Sequence, residues 1–396
     1  MTANRAMPTS EAEVQEFVKC AHDSCEPFCI EGGGSRAVLG RKTPAGRLLS
    51  LSAMSGIVRY SPAEMFVSVL AGTPASDVEK LLAGRDQMLP FEPMDHRVLF
   101  STNSTPSIGA IAACNISGPR SVQVGAARDF LLGVRFVNGR GEIIKAGGCV
   151  TKNVTGLDLT KLQSGAFGTL GVLTEVIFRT LPKAPFSATL SYEGLNPTQA
   201  ISAFSTALST PMSVSGAAYA PSSSENPSRA LLRLEGRQAS VSERALKLRR
   251  LLKEFGEPAL IGDEESIVIW TSIRDVVALA EPNAYTVWKL TAKPSLIATL
   301  VDALMQKLTA RYLLDAGGAI AWIAVSSSSV ADALLFRKVV AEHGGYATIV
   351  RASDEIRSTV DVFHPQPEAI MGLTRRIKCS FDPNRILNRD RMYRGI

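Results

Sequence analysis

Phe28-Cys29-Ile30-Glu31-Gly32-Gly33-Gly34-Ser35-Arg36-Ala37-Val38-Leu39-Gly40 is the stretch on which the fold turns. Phe28, Cys29 and Ile30 read as a short buried strand that runs out into three consecutive glycines. Gly32 to Ala37 satisfies the loose pattern G-x-G-x-x-G/A of a nicotinamide-dinucleotide fingerprint. Such a fingerprint has to open a helix of about ten residues or more, whereas Gly40 and Pro44 interrupt whatever follows Ala37. What remains is a strand end leading into a glycine nest whose amides can point at an anion, with a bare glycine-rich turn as the alternative.

Outward from that stretch the local signals are sharp. Upstream, Ser10-x-x-Glu13 is a capping box, and Val14, Phe17, Val18 and Ala21 follow at helical spacing, so Cys20 rides on a helix. Cys20, His22, Cys25 and Cys29 crowd together, but their spacing fits no zinc or iron–sulfur pattern, and a cysteine commonly behaves as a small buried hydrophobe. Downstream, Val67 to Leu70 reads as a buried strand. Thr73 then serves as N-cap with Pro74 at the first helical position, and Gly84 stops the helix.

Twelve of the 63 residues from Gly109 to Gly171 are glycine, well above the usual ~7%. Backbone must approach something closely there. Thr105 to Ala113 forms a second loop of small residues whose hydroxyls and amides can reach a diphosphate unobstructed. The third loop, Gly165 to Val172, precedes a strand Leu173 to Phe178. Three separated glycine-rich approaches suit a long ligand such as a dinucleotide better than a lone phosphate. From about Pro182 onward the texture changes to alternating strands and helices: Ser187 to Tyr192, Pro197 to Leu208, Leu231 to Leu234 and Ser242 to Glu254. This predicts a second, α+β domain with a surface loop at Pro221 to Pro227 and a closing helix near Ala369 to Cys379. No internal repeat is visible.

With 396 residues, 45% of them hydrophobic and 20% charged, the chain can bury a sizeable core across more than one domain. Its 43 Lys and Arg against 37 Asp and Glu are scattered, with no basic block for nucleic acid. No apolar run is long enough to span a bilayer, and the amino-terminal residues carry no secretory signal, which points to a cytoplasmic protein with six free thiols.

The glycine loops sit within a larger set of matches. Ser117 to Arg120, Gly125 to Gly133, Gly147 to Val154 and Gly165 to Glu175 resemble the FAD-binding domain of the vanillyl-alcohol oxidase or PCMH type. Within that superfamily the chain most resembles the FAD-binding subunit of glycolate oxidase, also called glycolate dehydrogenase. Gln87 to Pro93, Val362 to Pro365, Phe381 to Pro383 and Arg391 to Tyr393 extend the likeness. The resemblance implies an α+β fold: a two-lobed PCMH-type FAD-binding domain over residues 1–185, an α+β cap domain over 186–345, and a carboxyl-terminal segment, 346–396, packing back on the FAD domain. It assigns Gly32, Gly33, Gly34 and Ser35 to the pyrophosphate loop, and Pro106, Ser107 and Gly109 to a second phosphate contact. Gly168, Gly171 and Val172 fall to the adenosine and ribityl side, and Pro90 to the neighbourhood of the flavin ring. Departures from the pattern are Glu31 in place of arginine, Leu157 in place of tyrosine and Tyr346 in place of histidine.

Flavin-linked oxidation of a 2-hydroxy acid needs a base for the hydroxyl proton and a cation for the carboxylate. Only four histidines are present, far apart, with His343 and His364 as the carboxyl-terminal candidates, each readable as structural. Lys289 is either an anion contact or a solvated lysine. No catalytic residue is assigned and no metal is expected. The resemblance implies noncovalent FAD in a subunit that works on a small 2-hydroxy acid with a catalytic flavoprotein subunit and an iron–sulfur subunit, cytoplasmic or peripheral at the inner membrane through those partners. A stand-alone D-lactate-type dehydrogenase and a flavin-free paralogue are the alternatives.

Overall fold

The computed structural model describes residues 4–43, 46–149, 157–223, 226–327 and 329–396. Pro44, Val150 to Val154, Gly156, Ser224 and Glu225, all within stretches read above, lie outside the described residues.

Three strands, β1 (Asn4–Ala6), β2 (Phe28–Glu31) and β3 (Arg47–Ser50), form a parallel sheet in the order β1-β3-β2. The helix Glu11–Ser24 carries the chain from β1 to β2, on opposite sides of β3, and residues 32–46 then return it to the central place. Its start is capped as expected by Ser10, whose Oγ accepts from the Glu13 amide at 3.3 Å. The Glu13 carboxylate closes the motif on Thr9 instead, accepting its N–H at 2.8 Å. Val14, Val18 and Ala21 fall on one face of this helix and are fully buried against Phe28 and Leu49.

The second lobe holds β4 (Ile57–Ser61), β5 (Phe66–Leu70), β7 (Leu131–Val137), β8 (Ile143–Gly147) and β9 (Val172–Arg179), antiparallel in the order β4-β5-β9-β7-β8. Two short strands, β6 (Gln87–Met88) and β10 (Leu181–Pro182), pair beside it. The helix after β5 begins at Ala75 with Pro74 in the cap position, one residue later than the sequence signal implied. The Thr73 hydroxyl does not cap it. That group donates to the Leu70 carbonyl at 2.6 Å and accepts the Gly56 amide at 3.0 Å, tying the strand end to the neighbouring loop. Gly84 ends the helix as read.

Eight further strands make one antiparallel sheet: β11 (Phe186–Glu193), β12 (Val214–Ala220), β13 (Arg229–Gly236), β14 (Ala259–Ile261), β15 (Thr286–Thr291), β16 (Ala310–Asp315), β17 (Ile320–Val325) and β18 (Tyr346–Arg351). Their order is β14-β11-β13-β12-β16-β17-β15-β18. Each half is a βαββαβ unit of ferredoxin-like order, the halves meeting at a single register pair, Tyr219 with Leu314. This structural repeat has no visible counterpart in the sequence, because only the hydrophobic pattern is repeated. The helix Pro197–Leu208 has the expected bounds, set by Asn196 and Gln199 in a reciprocal box and by Pro197 in the first turn. The next helix spans Gln238–Leu251, starting four residues before the expected Ser242, with a 3-10 turn Lys253–Phe255 after it. Because β18 pairs with β15, the cap sheet runs through Arg351, past the boundary expected at 345.

Alternation along these strands sorts their side chains between two surfaces. Leu232, Leu234, Trp288, Leu290, Ile323 and Val325 face the cap's own helices, with Trp288 stacked on Phe336 at 4.3 Å. Leu231, Val287, Leu313, Trp322 and Ala324 face the other way and join the core of the two amino-terminal lobes. Arg233, Glu235, Lys289 and Asp315 share that second face by the same period, which places four charged groups at the junction of the two domains.

Candidate functional site

The three glycine loops converge on one cavity, with about 990 Å³ of empty space, part of it open to solvent. Gly32, Gly33, Gly34, Ser35, Gly109, Gly168 and Gly171 all lie on its wall. No helix opens at Ala37; the chain continues as turns to Gly40. The first two loops are pressed together: Gly34 bridges Thr105, a Cβ on Gly32 would meet Ser107 Oγ at 1.8 Å, and one on Gly33 would meet the Thr105 carbonyl at 2.2 Å. Only glycine permits this approach, and Gly34 in addition has φ +85°. Thr105 to Ala113 is not a loop throughout, for Ile108–Cys114 is helical. Its small residues let it lie against the strands, since a Cβ on Gly109 would be 2.6 Å from the Ala71 methyl.

Asn388 joins the third loop to the first. Its Nδ2 donates to the Phe167 carbonyl at 2.7 Å while its Oδ1 accepts the Ile30 amide at 2.8 Å. Lys378 reinforces this from behind: its fully buried ammonium donates to the Thr169 carbonyl at 2.7 Å and the Leu387 carbonyl at 2.9 Å, and pairs with Asp382 at 2.8 Å. The carboxyl-terminal segment therefore holds the wall in place, and Phe28 of β2 bridges Leu387 directly.

Four of the expected contacts lie off the wall. Pro106 supports the neighbouring helix through its carbonyl, which accepts the Ala75 amide at 2.9 Å. Ser107 is buried behind Gly32 with an unpartnered hydroxyl. Val172 is fully enclosed in β9, and Pro90 is buried after β6. Conversely, Arg36, Cys114, Phe167, Asn388 and Arg391 are on the wall without having been singled out as site residues. Asn388 and Arg391 belong to the tail, whose nearness to the glycine loops is purely tertiary. Arg36 stands in the decisive stretch itself, but a cation two residues beyond the glycines follows no spacing rule.

The wall is electropositive. Arg36 and Arg391 form no ion pair among the described residues, and Arg391 Nη2 donates to the Arg36 carbonyl at 3.0 Å. Burial lowers the pKa of both guanidiniums, which remain charged. Glu31 is the one acidic residue on the wall; burial raises its pKa, and Arg5 at 3.1 Å opposes the shift. Burial also pushes the thiols of Cys29 and Cys114 up, so both stay protonated. A long anionic ligand fits this site: amide-rich glycine loops and two cations that form no ion pair among the described residues.

Beside the cavity, where the domains meet, the charged face of the cap sheet finds its partners. Glu92 accepts two hydrogen bonds from Arg233 at 3.0 and 2.8 Å, and Arg120 pairs with Glu235. Burial would raise the Glu92 carboxyl, but the Arg233 guanidinium holds it below the usual carboxylate range. Arg233 also stacks 4.7 Å over Trp270. Lys289 is not solvated, in contrast to one of its two readings: it is half-buried with its ammonium 5.5 Å from the Trp322 ring, and burial lowers its pKa. Burial pushes Asp315 up to about 6, against the Ala316 amide and Lys289, which favour its charged form.

None of the four histidines lines the cavity. His22 meets Asn384 at 3.2 Å, and His343 bonds the Val339 carbonyl of its own helix at 2.9 Å. His364 lies against the Tyr346 ring at 4.7 Å. His96 is sealed in, and burial together with the Arg36 charge keeps it neutral. Among the described residues no helix is long and apolar enough to cross a membrane.

Residues 3–147 match the family described as FAD binding domain. The chain is 31% identical over 384 residues to the glycolate oxidase subunit GlcE of Escherichia coli strain K12, covering 97% of each chain. A D-lactate dehydrogenase of Anaerostipes hadrus is 30% identical over 190 residues, 47% of this chain and 38% of that one. Among solved structures, 4-ethylphenol oxidase from Gulosibacter chungangensis superposes with a TM-score of 0.76 over 98% of this chain and 89% of its own, at 14% identity.

Proposed function

Since the chain belongs to the family of the glycolate oxidase subunit GlcE and is an FAD-dependent oxidoreductase, we propose that it is the FAD-binding subunit of a glycolate oxidase or dehydrogenase complex. In this reading the complex oxidises a small 2-hydroxy acid, glycolate to glyoxylate, and electrons pass through flavin to a catalytic flavoprotein subunit and an iron–sulfur subunit. The complex is cytoplasmic, resting at the inner membrane through its partners. Bound FAD supplies the hydride acceptor. Gly32, Gly33, Gly34 and Ser35 hold its pyrophosphate; Pro106, Ser107 and Gly109 shape the second phosphate contact. Gly168, Gly171 and Val172 lie toward the adenosine and ribityl, and Pro90 supports the ring side. Of these, Pro106, Ser107, Val172 and Pro90 act from behind the wall, through backbone or packing. FAD is held noncovalently in this reading, which the absence of a histidine from the wall supports.

The accessory role rests on where the histidines fall. General-base assistance is worth about 10²- to 10⁴-fold, and no imidazole of this chain reaches the cavity to give it. Anaerobic mixing of the isolated, flavin-loaded chain with glycolate or D-lactate tests this directly. The expected result is bleaching of the visible flavin band about 10²-fold or more slower than in the complex, with FAD released intact by acid precipitation. Rapid bleaching by the chain alone would make it a stand-alone dehydrogenase, and a folded chain that takes up no FAD would make it a flavin-free paralogue.

A further inference from the structure

The helix Glu368–Phe381 buries a single side chain, and that one is Lys378. The four other helices of 14 residues, Glu11–Ser24, Gln238–Leu251, Pro294–Lys307 and Val330–His343, each bury three or more, all apolar. Pattern does not explain the difference. Ile370, Leu373 and Ile377 recur at the i, i+3, i+7 spacing of a packing stripe, yet Ile370 is 48% and Leu373 45% exposed. Among the described residues, the hydrogen bonds and ring contacts from this helix to the rest of the chain all fall in its last turn. Lys378 holds the Thr169 and Leu387 carbonyls, Phe381 lies against Phe136 at 6.1 Å, and the Phe381 carbonyl accepts the Gly139 amide at 2.9 Å. The helix start has no side-chain cap, and Gly372 follows, where an added Cβ would meet nothing. A helix this short draws most of its stability from a covered apolar face, and an uncapped start and an interior glycine lower its own preference further. The stripe is built for a cover that this chain does not supply.

The surrounding charge selects the cover. Residues 366–396 hold seven Lys and Arg against three Asp and Glu, four of the chain's six excess positive charges. Arg375 is paired with Glu368, while Arg376, Arg385, Arg389 and Arg394 form no ion pair among the described residues. A second copy of the chain would bring like charges together. A helix lying in a bilayer interface buries a face bearing Trp or Phe, and the exposed stripe has neither. A protein surface with an apolar groove and a carboxylate rim fits both features.

We propose that this helix docks the chain onto the catalytic flavoprotein subunit of its complex, seating Ile370 and Leu373 in an apolar groove whose rim is acidic. The inference rests on the subunit reading given above. Position supports it as well: Lys378, in the same helix, holds the Thr169 carbonyl behind the cavity wall, so a partner seated on the stripe is one helix removed from the FAD site.

The test titrates the full, flavin-loaded chain with the catalytic flavoprotein subunit. Ile370→Glu and Leu373→Glu are each expected to weaken the pair about 10- to 100-fold, and Arg376→Glu to slow association at low salt, while all three keep wild-type FAD content and urea midpoint. Amide exchange gives a second reading: residues 368–376 should exchange about 10²-fold or more slowly in the complex than in the chain alone. Wild-type affinity in both Ile370→Glu and Leu373→Glu, or no added protection of those amides, overturns the proposal. So does loss, in these variants, of binding to phosphatidylglycerol vesicles or of a dimer of the chain itself in place of flavoprotein binding, since each names another occupant. A fall in FAD content or urea midpoint in both variants would place the stripe within the fold and equally overturn it. A wild-type chain that binds no flavoprotein subunit would refute the subunit reading itself, and the proposal with it.

Discussion

Replacing Lys378 with methionine removes one ammonium and leaves three acceptors behind it. Asp382, wholly buried, keeps the Ile386 and Leu387 amides at 3.0 and 2.8 Å but loses its counter-charge. The Thr169 and Leu387 carbonyls lose their donor as well. Breaking one side of a buried ion pair costs about 3–5 kcal/mol, and the methionine stem repays little because the lysine methylenes were already packed. At a urea dependence of about 2–3 kcal/mol per molar for a unit of this size, the midpoint should fall by about 1–2 M. Trp270, Trp288 and Trp322 are all carried by cap elements, and Trp288 lies in the cap's own core, so tryptophan emission would mix the cap's unfolding with that of the lobes. The suitable signal is flavin fluorescence, which rises as urea frees FAD from the loop that Thr169 belongs to. Lys378→Met combined with Asp382→Asn removes the stranded charge and should recover about 1–2 kcal/mol of the loss. A single-variant midpoint within about 0.3 M of wild type, or a double variant no better than the single, would refute the claim that this pair secures the cavity wall.

Gly34→Val and Gly109→Val should both abolish flavin retention, for different reasons. At Gly34 the backbone sits at φ +85°, which costs a branched residue about 1–2 kcal/mol locally, so the fold should survive and the absorbance ratio at 450 and 280 nm should collapse. At Gly109 the new side chain collides with Ala71, so weakened circular dichroism should accompany flavin loss; wild-type flavin in either variant would relocate the site. Asp315 gives a pH signature. Its folded pKa of about 6 exceeds the ordinary 3.8, so the native state holds a proton the unfolded chain has released. The resulting stabilisation is full below about pH 4 and is lost as pH rises through 6, which amounts to about 1 kcal/mol between pH 5 and 7.5. Urea midpoints of wild type against Asp315→Asn should diverge by that amount over this range, and a pH-independent difference would refute the assignment.

What was legible in the sequence follows from how locally each feature is encoded. The helix Pro197–Leu208 carries its boundaries in Asn196, Pro197 and Gln199, all within one turn, and its bounds came out as read. Glycines at Gly32 to Gly34 and Gly168 marked the wall because only a residue without Cβ survives such close approach or positive φ. Thr73 misled because a hydroxyl one residue before proline has several acceptors to choose from, and tertiary contact with Gly56 won. Asn388, Lys378 and Arg233 were beyond reach, since each acts on partners more than a hundred residues away or through a pairing register that no local pattern announces. The helix Gln238–Leu251 carries Arg244, Lys247, Arg249 and Arg250, yet part of that charge is spent at home: Arg244 donates to the Met212 and Glu235 carbonyls, and Lys247 pairs with Glu243.

The cap's midline is stitched by one register pair, Tyr219 with Leu314, beside a stacked contact between Tyr219 and Tyr312 at 6.4 Å. On one side of that line β13 reaches down with Arg233 and Glu235 to grasp Glu92 and Arg120. On the other, β15, β16 and β18 carry Lys289, Asp315 and Arg351, the last gripping the Leu99 carbonyl at 2.7 Å. Slip along the midline would sacrifice few ladder bonds, since so few cross it, yet it would alter the spacing between Arg233 and Lys289. The cover over the FAD lobes is thus two leaves on a shared spine, each leaf pinned to the lobes by its own arginine.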